Sequence, residues 1–315
     1  MYILGIDIGG TRLKLAKVDH SGTILERRIQ ETPTTLEEFS STLTSLIKQL
    51  IDGSDGPAAV GVGCKGVIDT YSSTVLRQPG TFSFLEGLSF PRLLNPLFKR
   101  PVPIHADNDA RVALAGEVIW GAAKEKRNAV MLTLGTGVGG ALLVDGRMVR
   151  GEKGGAGLLG HMTIDPNGRF CDCGNRGCLE TVFSARAIEA EALNAVYRGT
   201  ESLLTERFKD DLSELSCQAV FQAANDGDMV ASVIRDEATS TLAAAIAGLL
   251  HVFDPEVVIL GGQIVEAGDS LLKPIRTAVA WRTKRFLGRI VPIVPSQVQD
   301  SSGVVGAAAL TLIEG

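Results

Sequence analysis

The sequence predicts an α/β protein made of two related lobes, and three observations carry that expectation. The chain has 315 residues, more than one hydrophobic core usually covers. A strand, a turn of glycine and threonine, a second strand, a turn and a third strand occur near residue 2 and again near residue 129. Two copies of one supersecondary unit argue for two lobes of the same design. Helix-period segments alternate with these strands, and no linker or low-complexity stretch separates them.

Taken in order, residues 2–8 form a β-rich run ending in Gly9-Gly10-Thr11. Leu13, Leu15 and Val18 mark a second strand, Asp19-His20-Ser21-Gly22 a turn, and residues 23–29 a third strand. A helix follows. Thr34 and Glu37 have capping-box spacing, Leu36, Phe39, Leu43, Leu46, Ile47 and Leu50 share one face, and Gly53 ends it. Residues 58–62 read as a buried strand leading to Gly63-Cys64-Lys65-Gly66, and residues 102–104 as a strand before a helix through Val112, Leu114, Ala115 and Val118. The second copy comprises strand 129–134, the turn Gly135-Thr136-Gly137-Val138-Gly139-Gly140, strand 141–144, the tight turn Asp145-Gly146 and strand 147–149. Residues 256–260 form a strand running into Gly261-Gly262 and a helix. Ser301 or Ser302 caps a last helix through Ala307-Ala308-Ala309-Leu310.

Composition narrows the function. The 36 glycines fall partly in clusters, as where backbone approaches a ligand closely. Aromatic residues make up 5% of the chain, too few for a stacking platform for single-stranded nucleic acid. A formal net charge of −5 gives no electrostatic reason to seek DNA or a membrane surface. The start of the chain has no basic region before its apolar run, and Asp7 breaks that run, so it does not read as a signal peptide. Residues 242–253 are apolar but too short to span a bilayer and read as a buried helix. The expected location is the cytoplasm, where a cysteine cluster suggests metal before disulfide.

Four groups of residues carry candidate chemistry. Gly9-Gly10-Thr11 and Gly135-Thr136-Gly137 each follow a buried strand and can present backbone N–H groups and a threonine hydroxyl to phosphate oxygens. Each alone reads as a hairpin turn; the pair favours a phosphate clamp. Asp7 interrupts an apolar strand, either to bond neighbouring backbone or to orient Mg²⁺ or its waters beside the phosphates. In His105-Ala106-Asp107-Asn108-Asp109-Ala110, Asp107 or Asn108 fits a helix cap. The functional reading gives Asn108 a substrate hydroxyl and makes Asp109 the acceptor of an attacking alcohol's proton. His161, Cys171, Cys173 and Cys178 make a Cys₃His set, a closed tetrahedral zinc combination whose metal is structural. Free buried cysteines are the alternative. His20, His251, Cys64 and Cys217 have no such company.

The order Asp7-Ile-Gly-Gly-Thr11, Asn108-Asp109-Ala110, Leu134-Gly-Thr-Gly-Val-Gly-Gly140, Gly160-His161 and Cys-x-Cys-Gly-x-x-Gly-Cys-x-Glu180 resembles the ROK family (repressors, open reading frames and kinases), over essentially the whole chain. The resemblance implies an actin-like, hexokinase-like (ribonuclease H-like) two-lobe ATPase fold. It implies a small lobe over residues 1–118, joined by the C-terminal helix 301–315, and a large lobe over 119–300 with the zinc site. It also implies a homodimer, the partners sugar and ATP, and the cofactors ATP with Mg²⁺ and structural Zn²⁺. Asp109 is then the catalytic base and Asn108 a sugar ligand. Gly9, Gly10, Thr11, Thr136 and Gly137 hold ATP phosphates beside Asp7, and Gly261 and Gly262 lie near the adenosine. His161 ligates zinc and contacts the sugar, Glu180 accepts from sugar hydroxyls, and Gly66, Gly80 and Thr81 fall in the sugar loops.

Two departures mark this chain. Family kinases usually carry Glu three residues before the histidine, where it binds hydroxyls near the anomeric carbon; here the residue is Leu158. A loop that often reads Pro-Gly reads Lys65-Gly66. The expected activity is phosphoryl transfer from ATP to the 6-hydroxyl of a hexose or N-acetylhexosamine. A non-catalytic sugar-binding regulator and a polyphosphate-dependent sugar kinase are the alternatives. Regulators of the family carry an N-terminal helix-turn-helix domain, and this chain starts at the first strand.

Overall fold

In the computed structural model, which describes residues 1–51, 56–78, 80, 82–298 and 302–314, the expected strands form, several with shifted ends. Met1–Lys126, Arg147–Gly157 and Ser296–Gly315 make a first unit, and Arg127–Gly146 with Leu158–Pro295 a second. Gly53, the expected end of the first helix, lies outside the described residues, as do Thr81 and Ser301.

The first unit is built on β1 (Ile3–Ile8), β2 (Arg12–Val18), β3 (Ile24–Glu31), β4 (Val60–Cys64) and β7 (Ile104–Asn108), ordered β3-β2-β1-β4-β7. β2 runs antiparallel to β1, whereas β4 and β7 run parallel to it. The short strands β5 (Val67–Asp69) and β6 (Thr74–Arg77) form a separate antiparallel pair. On one face of the large sheet lies α1 (Leu36–Ile51), which buries Phe39, Leu43, Leu46, Ile47 and Leu50 as its apolar spacing requires. Leu36 stays exposed. The cap is one residue later than the Thr34–Glu37 spacing suggests, because the Thr35 hydroxyl accepts from the Glu38 N–H at 3.3 Å.

On the other face the C-terminal helix Ser302–Glu314 packs with almost no side chain between it and the sheet. A Cβ on Gly5 would stand 2.0 Å from the Val304 carbonyl oxygen, and one on Gly61 would stand 1.6 Å from that of Ala307. Glycine in β1 and β4, and alanine in the helix, are what allow this approach. The helix also meets α3 (Asp109–Trp120), where a Cβ on Gly306 would stand 2.3 Å from the Val112 carbonyl oxygen.

The second unit repeats the plan. β8 (Ala129–Leu134) pairs antiparallel with β9 (Val138–Val144) and parallel with β11 (Val257–Gly261), which pairs parallel with β12 (Ile293–Pro295). The turn Asp145-Gly146 has both residues at positive φ (51° and 76°), as a tight hairpin turn demands, and leads to the two-residue β10 (Arg147–Met148), where the chain re-enters the first unit. Strands β1 and β8 thus occupy the same place, each where the sheet changes from antiparallel to parallel. Helices α4 (Ala185–Tyr197), α6 (Cys217–Asn225) and α7 (Met229–Phe253) begin at Ser184, Ser216 and Asp228, whose side chains accept helix N–H bonds. α8 (Asp269–Leu287) ends at Gly288 in the left-handed conformation. Among the described residues no helix is long and apolar enough to cross a membrane.

Candidate active site

In open α/β sheets, ligands bind at the carboxyl ends of strands, where strand order switches. The expected residues of the first unit converge there. Gly9-Gly10-Thr11 links β1 to β2, with the Gly9 N–H donated to the Arg12 carbonyl at 3.1 Å and the Thr32 hydroxyl donated to the Gly9 carbonyl at 2.8 Å. Gly10 and Thr11 are exposed, a Cβ on Gly10 would meet open space, and the Thr11 hydroxyl has no protein partner among the described residues. A phosphate can therefore reach this backbone.

Asp7, one residue from the end of β1, pairs with Lys14 across the hairpin, its Oδ2 at 3.4 Å from Nζ. Burial pushes its carboxyl above the usual carboxylate range, Lys14 pulls it down, and the nearby Asp109 pushes it up again. Gly303 of the C-terminal helix closes over Oδ2, where a Cβ would stand 2.2 Å away. Oδ1 has no protein hydrogen bond among the described residues, which suits a carboxylate that reaches a metal-bound water.

The polar cluster 105–108 was expected just beyond a strand ending at residue 104; instead it is the strand. β7 runs from Ile104 to Asn108 because the charge of Asp107 is neutralised inside the fold. Its Oδ1 accepts from Arg111 Nε at 2.5 Å and its Oδ2 from Arg150 Nε at 2.8 Å. Arg111 and Asp107 are both fully buried. The remaining Arg111 donors go to the carbonyls of Ala156 (2.8 Å) and Gly154 (2.9 Å), and Arg150 also pairs with Glu314. Every charge in this network has a partner, the condition under which a buried ion pair is tolerated.

Asn108 is the cap of α3, its Oδ1 accepting from Ala110 N–H at 3.0 Å while its Nδ2 donates to the Gly66 carbonyl at 3.1 Å. One amide N–H remains for a ligand. Asp109 opens the helix and is accessible to solvent, yet enough protein surrounds it to raise its carboxyl pKa. The Ala110 N–H and the charges of Lys65 and Arg111 oppose that rise. At the far end of α3, buried Glu117 accepts from Ala122 N–H (2.7 Å), Ser296 hydroxyl (2.6 Å) and the N–H groups of Gln297 and Val298 (2.9 Å each).

In the second unit Gly135-Thr136-Gly137 follows β8, with Thr136 exposed and open space beside Gly135. Glu180 braces this turn. Its Oε2 accepts from Val138 N–H at 2.7 Å, and a Cβ on Gly137 would stand 2.3 Å from that oxygen. Gly262, at φ 90°, lies against the Leu134 carbonyl, which a Cβ would approach to 2.3 Å. Gly261 ends β11 beside it. Leu158 begins the short helical turn Leu159–His161 and is half-buried.

The metal-ligating atoms of His161, Cys171, Cys173 and Cys178 lie within 4.8 Å of one another. Cys173 and Cys178 sulfurs are 3.7 Å apart, and Cys171 Sγ is 3.5 Å from His161 Nδ1. A zinc tetrahedron with Zn–S of about 2.3 Å and Zn–N of about 2.0 Å has edges of roughly these lengths. The donor set therefore fits zinc, with Nδ1 on the metal side and Nε2 left over. Gly177 lets the loop fold tightly, since its Cβ would stand 1.5 Å from the Asp165 carbonyl oxygen. His20 and His251 are exposed, His251 edge-on to Phe286; Cys64 and Cys217 are buried. Sequence reasoning missed Arg111, Arg150, Glu117 and Lys14. Arg111 was visible as a cation inside the otherwise apolar run Ala110–Ala115, four residues after Asp107, but the Gly154 and Ala156 carbonyls that take its other donors lie 43 and 45 residues away.

The ROK family model matches residues 3–314. The chain belongs to the ROK family. It is 35% identical to a glucokinase of Thermotoga maritima, over 98% of this chain and 97% of that one. A ROK family glucokinase from Streptomyces griseus, solved with glucose and AMPPNP, superposes with a TM-score of 0.83 at 30% identity, covering 98% of this chain and 99% of that one. The family also holds regulators: a xylose repressor of Caldicellulosiruptor bescii is 27% identical over 98% of this chain and 78% of its own length. The fold is thus the actin-like, hexokinase-like fold of the ROK kinases.

Proposed function

We propose that this chain transfers the γ-phosphoryl group of ATP to the 6-hydroxyl of a hexose or N-acetylhexosamine, with Asp109 as the base. The chain is a sugar kinase by its full-length likeness to the glucokinases of its family; the base, the acceptor and the ligand residues are the proposal. The observation that carries it is Asp109 beside Asn108 at the carboxyl end of β7, accessible but in surroundings that raise its pKa. A base poised in this way takes the hydroxyl proton as the new O–P bond forms and ADP leaves.

Catalysis in such a site is mostly positioning and charge neutralisation. Asn108 holds a sugar hydroxyl with its spare N–H, and Gly66 positions that amide through its carbonyl. His161 donates from Nε2 when Nδ1 is on zinc, and Glu180 accepts with Oε1 while Oε2 stays on Val138 N–H. Gly80 and Thr81 complete the sugar loops. Gly9, Gly10, Thr11, Thr136 and Gly137 take the phosphates, and Gly261 and Gly262 the adenosine. Asp7 holds Mg²⁺ or its waters, an ion that offsets phosphate charge when bound. Zinc at His161, Cys171, Cys173 and Cys178 holds the loop that carries Glu180. We read the protein as cytoplasmic, with no nucleic-acid or membrane partner, and as a homodimer. Exposed Trp281, Phe286 and Ile290 in and after α8 support the last.

Leu158 favours one second reading, a non-catalytic sugar-binding regulator, because an acceptor for sugar hydroxyls is missing there. The assay is ADP release with glucose, N-acetylglucosamine, N-acetylmannosamine and related sugars, run in parallel with polyphosphate as donor. Sugar-dependent ADP release is expected. Sugar binding in calorimetry without turnover on either donor would establish the regulator instead.

A further inference from the structure

We infer that Gln78 is a specificity-determining residue of the sugar site, its side-chain carbonyl accepting a hydrogen bond from one hydroxyl of the bound sugar. The inference rests on the sugar-kinase reading and adds a residue to it. Gln78 is 1% exposed, and its Oε1 has no hydrogen-bond partner among the described residues. A buried carbonyl oxygen left unpaired costs free energy, and native folds rarely keep one without a reason. The two usual reasons are a donor hidden elsewhere in the fold and a donor that arrives with a ligand.

The position decides between them. Gln78 follows β6, whose last residue, Arg77, pairs with Val67 in β5. Its backbone is pinned, the N–H being donated to Glu86 Oε1 at 2.8 Å. Its amide lies against the bare Cα of Gly66, where a Cβ would stand 2.5 Å from Oε1 and 2.3 Å from the Arg77 carbonyl oxygen. Gly66, at φ 104°, therefore leaves room for this side chain. The carbonyl of the same Gly66 receives the Asn108 Nδ2 bond at 3.1 Å. Gln78 Oε1 and the Asn108 amide thus flank one glycine in the first unit. One offers a spare N–H donor and the other a spare acceptor, which is the complement of a hydroxyl pair on a sugar ring. A site that hydrogen-bonds a substrate hydroxyl rejects the analogue lacking it, because its own buried group is then orphaned.

The test is Gln78→Met, which keeps the length of the side chain and removes the acceptor, with Gln78→Asn to withdraw the carbonyl by one methylene. Binding of the best-accepted sugar from the panel, and of its monodeoxy analogues, is measured by calorimetry without nucleotide; KM for sugar and for ATP follows by kinetics. We expect sugar affinity to fall about tenfold or more in both variants, as the loss of one matched buried hydrogen bond implies. KM for ATP should be unchanged, and Gln78→Met should melt no lower than native protein, because it removes an unpaired buried acceptor. The penalty should vanish for one monodeoxy analogue, the one lacking the hydroxyl that Gln78 receives. Unchanged affinity in both variants, or the same loss on every analogue, overturns the assignment. If native protein binds sugar but turns over no ATP, the kinase reading fails while this comparison still decides the role of Gln78. If it binds no sugar at all, both fall.

Discussion

The two glycine–threonine turns come from one strand plan, yet they are braced by different physics. In the first unit the turn itself is tied by the Thr32 hydroxyl donated to the Gly9 carbonyl, and the end of β7, two strands away in the same sheet, is held by buried charge: Asp107 between Arg111 and Arg150. In the second unit the turn leans on Glu180, two residues from Cys178, and that segment belongs to a loop of bends and turns with almost no core of its own. A short loop that cannot bury enough apolar surface needs a metal to fix it. On the proposed reading, the unit that carries Asp109 is rigid by its own side chains, and the unit that presents His161 and Glu180 would borrow rigidity from zinc held by the Cys₃His set.

The metal brace should be the easier to break and the larger in effect. Cys173→Ser removes one ligand of four, and the binding energy of a structural zinc, about 10–16 kcal/mol in small peptides, is also folding energy. Metal analysis should find zinc lost and the melting temperature lowered, with the damage confined to the second unit in hydrogen exchange. Full zinc content and native melting in the variant would remove the distinction between the units.

Arg111→Met tests the charge brace. Breaking a fully buried pair from one side costs about 3–5 kcal/mol, so denaturant unfolding should show a loss of that size. Its zinc content should remain native. The same substitution removes a positive charge that lowers the Asp109 pKa, so the acid limb of the kcat profile should move to higher pH. A stability loss below about 1 kcal/mol would mean that Asp107 is satisfied some other way.

Leu158→Glu is the smallest of these effects and sharpens what the second unit reads. An unmatched buried hydroxyl costs about 1–3 kcal/mol, roughly tenfold to a hundredfold in selectivity. Native enzyme should therefore phosphorylate glucose poorly, and the variant should gain in kcat/KM for glucose relative to N-acetylmannosamine. An efficient native glucokinase with no gain in the variant would show that position 158 does not set sugar choice.

What was legible in the sequence is what is local. The Cys₃His spacing, the two Gly/Thr turns, and Asn108-Asp109 after an apolar strand all lie within short windows, and each occupies a position that fits its chemistry. The helix face of α1 was readable because its period is 3.6 residues, though Thr35, not Thr34, caps it. The rest depended on partners far away in the chain. Asp107 sits in a strand only because Arg150, 43 residues on, joins Arg111 in neutralising it, so a reading that stops the strand at residue 104 follows from ordinary polarity. Glu117 binds backbone some 180 residues away, and the orphaned carbonyl of Gln78 has no sequence signature at all.

The central claim is that Asp109 is a base and not a structural carboxylate, and Asp109→Asn tests it most directly. The surrounding protein raises its folded-state pKa above the ordinary carboxylate value, so the ionised form costs stability at every pH above that raised value. The cost is relieved as pH falls through it towards the unfolded-state value. At neutral pH the Asn variant should therefore melt no lower than native protein and should bind sugar with native affinity, while kcat drops about 10²–10⁴-fold. A variant that keeps near-native kcat, or that loses activity only because it unfolds, would contradict the account.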